Sequence, residues 1–184
     1  MSQASPSNPS RAWVFGDKID TDVLAPGALM KLSPDALARH CLEAVRPAFA
    51  KEVRPGDLVI GGASFGIGSS REQAAQSLRL LGVKAVIAKS FARIFYRNAF
   101  NLGLPALICP QADEIKDGDL VNLDLQTGAL DNITTGARLN VSPIPEHMAK
   151  IIDAGGLMDF LESQMPGSDS AVAIGSKQGT RDDG

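Results

Sequence analysis

Cysteine and histidine are scarce in this sequence, with two of each among 184 residues. Cys41 and Cys109 lie far apart and spell neither a disulfide framework nor a CxxC redox pair, so they read as buried free thiols. His40 and His147 have no neighbouring ligand at a metal-like spacing such as HExxH, which argues against a metal site built by this chain alone. The shortage of thiols also bears on iron–sulfur chemistry, since a cluster is normally held by about three or four thiolates. Long apolar runs are missing too: segments such as Leu58–Ile60 and Val83–Ala88 fall far short of the roughly 20 residues that a membrane helix needs. The start, Met1-Ser2-Gln3-Ala4-Ser5-Pro6, has neither the charged beginning nor the apolar stretch of a signal peptide. Positive charge is in short supply, 18 Lys+Arg against 21 Asp+Glu for a net charge of -3, and leaves no cationic surface to track a phosphate backbone. Neither nucleic acid nor a membrane is expected as a partner, and the expected location is cytoplasmic.

What is present is a chain that is 44% hydrophobic and of a length that suits one globular domain. Residues 1–10 are dominated by Ser, Pro, Asn, Gln and Ala, too polar to offset chain entropy, and are expected to be a disordered N-terminal segment. Past Met165, Pro166-Gly167-Ser168-Asp169-Ser170 opens a Gly/Ser-rich stretch broken only by Ala171–Ile174, so 166–184 is expected to be a flexible tail. The domain proper is placed at 11–165, without an internal repeat.

Strand and helix signals alternate along that domain. Ala12–Phe15 reads as a strand, and Pro34–Val45, with Leu37, Cys41 and Leu42 at helical spacing behind Ser33, as a capped helix. Pro55-Gly56-Asp57 is a turn, and Leu58–Ile60 a buried strand that enters a glycine-rich segment, Gly61–Gly68. Ser70–Leu81 is a helix closed by Gly82. A second buried strand follows over Val83–Ala88, then a helix over Arg93–Leu102 stopped by Gly103, then a strand over Leu104–Ile108. Leu120–Leu125, Ala129–Ile133 and Ala137–Val141 suggest an antiparallel section turned at Thr127-Gly128 and Thr135-Gly136. Glu146–Leu161 is helical with a break at Gly155-Gly156. The class is α/β, a largely parallel core sheet with an added antiparallel β section.

Ser64-Phe65-Gly66-Ile67-Gly68-Ser69-Ser70-Arg71-Glu72-Gln73 lies where a strand hands over to a helix, the place where open α/β sheets bind ligands. A helix N-terminus offers unpaired N–H groups and partial positive charge, and Arg71 adds a planar fork that fits a carboxylate. The segment is not GxGxxG, because Arg71 stands where the last glycine belongs. It lacks the Gly-Lys-Ser/Thr of a phosphate loop and the second glycine of a nucleophile elbow. A structural reading competes with anion binding: Ser69 with Glu72, and Ser70 with Gln73, each spell a capping box. Only one serine can cap, and the other is then free to face a cleft. Asp20-Thr21-Asp22 reads either as an Asx-type turn or as part of the site. Asp17, Asp20 and Asp22 lack the spacing, the glycine and the terminal glutamate of a calcium loop.

Three ordered motifs, Gly16-Asp17-Lys18-Ile19-Asp20-Thr21-Asp22, Gly66-Ile67-Gly68-Ser69-Ser70-Arg71-Glu72 and Val86–Asn98, resemble the small subunits of 3-isopropylmalate dehydratases. Through them the chain is similar to the swivelling fourth domain of aconitase. The resemblance runs from Val14 to Leu161 and includes Thr134-Thr135-Gly136 and Pro143-Ile144-Pro145. It departs at Ile67, where many relatives have cysteine, at Gln73, where many have histidine, and in Gly27–Leu32, where an aromatic residue is often found.

The resemblance implies a swivelling β/β/α domain and a hydro-lyase that interconverts 2-isopropylmalate and 3-isopropylmalate by dehydration and rehydration, in leucine biosynthesis. It implies a large partner subunit that carries a [4Fe-4S] cluster, with no cofactor or metal on this chain. Residue by residue, it places Ser69 as the base that takes the proton α to a carboxylate, and Ser70, Arg71 and Asp22 at the substrate. Leu29, Met30 and Lys31 fall in the segment that would meet the substrate's side chain, where apolar groups around one lysine suit an alkyl substituent, or else simply pack the loop down. Phe91, Ile94, Phe95 and Tyr96 read as core and interface, with Arg93 and Arg97 in local or subunit ion pairs. The alternatives are a dehydratase subunit for another alkylmalate or a homoaconitate-like acid, and a stand-alone anion-binding module.

Overall fold

Side chains that alternate along the parallel strands send neighbours to opposite faces, and this alternation builds two cores on one sheet. The computed structural model describes residues 8–165; the expected C-terminal tail and most of the expected N-terminal segment lie outside the described residues. The first strand, β1, spans Ser10–Val14. Ser10 is buried and pairs with Val121, so it belongs to the sheet and not to the N-terminal segment in which the composition put it.

Beyond β1 come α1 (Thr21–Leu24), a 3-10 turn at Gly27–Leu29, α2 (Pro34–Ala38) and α3 (Phe49–Glu52). Then β2 (Leu58–Gly61), α4 (Glu72–Leu80), β3 (Ala85–Ala88), α5 (Arg93–Asn101) and β4 (Ala106–Ile108) alternate. The chain continues through β5 (Leu120–Leu123), β6 (Ala129–Asn132) and β7 (Arg138–Asn140) into α6 (Glu146–Ala154) and α7 (Leu157–Gln164). The sheet order is β4-β3-β2-β1-β5-β6-β7. Its β4-β3-β2-β1 half is parallel and its β5-β6-β7 half antiparallel, joined through the β1–β5 pair.

On one face, Trp13, Val59, Val86 and Ala88 pack with Leu78 of α4 and Phe95 and Phe100 of α5. On the other, Leu58, Ile60, Ala85 and Ile87 share a core with Val121, Leu130 and Leu139, so the antiparallel section covers the side that the helices leave open. Burial on both faces explains why β2 and β3 read as continuous apolar runs and not as alternating ones. Trp13 is fully buried and still satisfies its ring N–H, which donates to Asp57 Oδ2 at 2.9 Å.

Two expected elements differ from what forms. The helix expected over Pro34–Val45 ends at Ala38. Leu42 takes a φ of 60° and donates its N–H to Val23 O at 2.9 Å, a contact with α1 that outweighs local helix propensity. The helix expected from Ser70 begins at Glu72. Gly155 and Gly156, at φ 98° and 140°, separate α6 from α7 as the sequence suggests.

Candidate active site

Three loops leave the C-terminal ends of β1, β2 and β3 and go on pairing past the strands. Lys18 N–H donates to Ala63 O at 2.8 Å, Gly66 N–H to Ile19 O at 2.7 Å and Thr21 N–H to Ile67 O at 2.8 Å. On the other flank Phe65 N–H reaches Ser90 O at 3.0 Å and Ala92 N–H reaches Phe65 O at 2.9 Å. The glycine-rich segment is thus held between the 15–21 and 89–92 stretches by main-chain bonds, at the end of the sheet where such folds bind ligands.

The three acids near the first of these loops hold three different partners. Asp17 Oδ1 accepts from Ala63 N–H at 2.7 Å, Asp20 Oδ1 caps α1 by accepting from Val23 N–H at 2.8 Å, and Asp22 Oδ1 accepts from Gly27 N–H at 2.9 Å. They do not converge on one point, and no group of three or more potential metal ligands exists among the described residues.

Asp22 Oδ1 also receives Arg71 Nη1 at 2.5 Å, and the same nitrogen reaches Ala25 O at 3.0 Å. The Arg71 hydrogen bond, followed by the Gly27 N–H, holds the Asp22 carboxyl below the usual carboxylate range. Ser69 Oγ stands 3.2 Å from Thr21 Oγ1. The structure therefore brings Asp22 and Arg71 together, and Ser69 beside Thr21, from loops 48 and 49 positions apart.

Neither capping box forms. Arg71 occupies the cap position of α4 in extended conformation, no side chain caps the helix, and Ser69 and Ser70 stand too early to do so. The cause lies upstream. Gly68 turns at φ 112°, where a Cβ would come within 3.0 Å of Thr21 Oγ1, and the Asp20–Ile67 bridge ties the loop to the segment that enters α1. Both serines are exposed, and the Ser70 hydroxyl has no partner among the described residues. An uncapped nine-residue helix with two hydroxyls and a guanidinium at its head attracts an anion.

The chain has the sequence profile of the Aconitase C-terminal domain over residues 45–112. It is 49% identical over 156 residues to the 3-isopropylmalate dehydratase small subunit of Nautilia profundicola, covering 84% of this chain and 94% of that one. With the small subunit of Methanosarcina acetivorans it shares 50% over 151 residues, 82% of this chain and 93% of the other. The chain belongs to the 3-isopropylmalate dehydratase small-subunit family. The crystal structure of a 3-isopropylmalate dehydratase from Methanocaldococcus jannaschii matches with a TM-score of 0.80 and 43% identity, over 84% of this chain and 92% of that one.

Within this small-subunit fold, Leu29 and Met30 are half-buried against the helix-side core, and Lys31 is exposed. Gly27 lies against the Asp22–Arg71 pair: a Cβ there would sit 2.8 Å from Arg71 Nη2 and 3.1 Å from Asp22 Oδ1. Phe95 is buried, Phe91 and Tyr96 pack against the same core, and Ile94 is exposed. Arg93 and Arg97 are exposed and make no ion pair among the described residues, so the local pairing expected of them does not form. Sequence reading gave Thr21 no role of its own and did not single out Gly27, yet one adjoins Ser69 and the other the Asp22–Arg71 pair. Thr21 lay inside a recognised motif, but its partner Ser69 is 48 positions away, and nothing local joins them.

Proposed function

We propose that this chain is the small subunit of a two-subunit hydro-lyase that interconverts 2-isopropylmalate and 3-isopropylmalate by dehydration and rehydration, in leucine biosynthesis. The observation that carries this reading is the head of α4, uncapped, with Ser69, Ser70 and the Asp22–Arg71 pair around it. It is supported by the names of relatives that share close to half of the sequence along nearly their whole length.

In this reading Arg71 receives a substrate carboxylate through its fork, with Asp22 setting the plane of the guanidinium and Ser70 adding a hydroxyl donor. Ser69 takes the proton from the carbon next to that carboxylate. The C–H electron pair becomes the double bond as the hydroxyl departs from the neighbouring carbon. The proton on Ser69 and the departing hydroxide together make up the water lost, and rehydration returns both. Serine is a poor base near neutral pH, so its alkoxide draws on the positive end of α4 and the nearby guanidinium. Leu29, Met30 and Lys31 line the side where the alkyl substituent lies.

Cys41 and Cys109 sit in the two separate cores, one on each face of the sheet. That donor set does not fit an iron–sulfur cluster, and we assign the [4Fe-4S] cluster to the large subunit. Bound there, it would supply Lewis-acid activation of the substrate hydroxyl. No helix among the described residues is long and apolar enough to cross a membrane. A cytoplasmic location is part of the same reading.

The test is anaerobic reconstitution with a cluster-loaded large subunit, followed by assay of a panel of alkylmalates and a homoaconitate-like tricarboxylate. Turnover of 3-isopropylmalate that requires both chains is the expected result. Preference for another acid would reassign the substrate. Carboxylate binding by this chain alone, with no turnover in either combination, would support an independent binding module instead.

A further inference from the structure

We propose that Thr21 is a positioning residue for Ser69: its buried hydroxyl, 3.2 Å from Ser69 Oγ, donates a hydrogen bond that holds the serine oxygen in place and favours its deprotonated form. The inference rests on the assignment of Ser69 as the base.

Thr21 is only 2% exposed, unusual for a residue whose hydroxyl adjoins an exposed serine. Its backbone is fixed at both ends. Its N–H donates to Ile67 O at 2.8 Å, and its carbonyl accepts from Ala25 N–H at 2.9 Å. The β-branch restricts the side-chain rotamer further. Gly68 leaves room for the hydroxyl, since a side chain there would sit 3.0 Å from Thr21 Oγ1. Among the described residues Ser69 Oγ is the hydrogen-bond partner of this hydroxyl.

The chemistry follows from donor counting. While both hydroxyls are neutral, either one donates to the other. Once Ser69 has lost its proton only Thr21 can donate, and the bond becomes charge-assisted, shorter and stronger. Thr21 therefore stabilises the alkoxide more than the alcohol, and fixes the direction from which the oxygen approaches the substrate carbon. A Val side chain would fill the same space and do neither. The charged groups on the segments that meet here are Asp17, bonded to Ala63 N–H, the exposed Lys18, Asp20, turned to its own helix cap, Asp22 and Arg71, paired with each other, and the exposed Glu72. None of the six makes a hydrogen bond to either hydroxyl among the described residues.

The experiment compares Thr21→Val, Thr21→Ser, Thr21→Ala and Ser69→Ala in the assembled two-subunit enzyme, with 3-isopropylmalate as substrate and kcat, KM and the pH profile as readouts. Thr21→Val is expected to lower kcat about tenfold or more, as fits a lost hydrogen bond to a charged group. KM should stay within about twofold, and the basic form needed for turnover should appear about one pH unit higher. Thr21→Ser keeps the hydroxyl and should recover most of kcat and the original pH profile. If Thr21→Val does not fold, the contrast between Thr21→Ser and Thr21→Ala isolates the same hydroxyl. An unchanged kcat and pH profile in the variants lacking the hydroxyl, with Ser69→Ala inactive, would overturn this inference and leave the base assignment standing. Substantial turnover by Ser69→Ala would overturn both.

Discussion

Arg71 Nη1 donates to Asp22 Oδ1 across 2.5 Å, a contact between the head of α4 and the first turn of α1. Asp22 is mostly exposed, so the pair adds little to folding stability after solvent screening. Its value is directional, because a guanidinium held in one plane gives up less freedom when it binds a carboxylate. Arg71→Lys keeps the charge and loses the fork, and is expected to raise KM for 3-isopropylmalate about tenfold or more in the assembled enzyme. Asp22→Asn retains an acceptor for Arg71 and should raise KM only a few-fold. Steady-state kinetics of the two variants check this, and an unchanged KM in Arg71→Lys would remove Arg71 from the binding site.

Gly27 tests the same arrangement from a third side. A methyl group there would press on the guanidinium tip and on the Asp22 carboxylate, at 2.8 and 3.1 Å. Both are ends of flexible, accessible side chains, so the fold can yield while the pair cannot keep its geometry. Gly27→Ala is therefore expected to leave the melting temperature unchanged or slightly raised, through the less flexible unfolded chain. KM should rise about tenfold, as for loss of an oriented charged contact. Thermal melts paired with kinetics separate the two effects.

The order of strands and helices was most legible at β2 and β3, each short, apolar and followed by an amphipathic helix stopped at a glycine, α4 at Gly82 and α5 at Gly103. That hydroxyls and a guanidinium gather at the head of α4 was legible from residue types alone. Its cap was not. Ser69 and Ser70 satisfy the capping pattern in sequence, yet the loop obeys main-chain bonds to Ile19 and Thr21, which no local pattern contains. A different non-local contact explains why α2 ends early, since Leu42 answers to Val23 and not to its own helix. Thr21 and Gly27 were hidden for the same reason. Their importance lies in atoms brought from more than 40 residues away.

Arg46 and Asp117 form a two-pronged pair at 2.5 and 2.7 Å that ties the segment before α3 to the turn before β5, and Asp117 also accepts from Val14 N–H at 3.0 Å. The Arg46 hydrogen bond outweighs partial burial and holds the Asp117 carboxyl below its usual range. A carboxyl lowered on folding contributes stability above its unfolded pKa and loses that contribution as pH falls through the folded one. Both side chains are partly exposed, so the contribution at neutral pH is about 1 kcal/mol. Asp117→Asn is expected to lower the melting temperature by about 2–4 °C at pH 7. The difference should vanish in acid below the usual carboxylate range. A gap that persists there would mean that packing, and not charge, is what the substitution removes.

Met30 and Leu29 are half-buried against the helix-side core while Lys31 is exposed, and all three follow the Gly27 turn that abuts Arg71. Two thioether or alkyl groups beside one cation suit an alkyl substituent near a carboxylate. A third substrate carboxylate would need its own cation on burial. Because a methylene is worth only about 1–3 kcal/mol in an apolar pocket, discrimination among isopropyl-, ethyl- and dimethyl-malates should be modest. Discrimination against a tricarboxylic acid should be much larger. Met30→Arg is therefore expected to shift the ratio of kcat/KM towards a longer tricarboxylate and away from 3-isopropylmalate. Met30 also packs on the core, so the variant's melting temperature must be measured alongside, and the ratio of the two substrates is the decisive quantity because lost stability lowers both alike. Equal loss on both acids would assign Met30 to packing alone and move the search for the specificity group to Lys31.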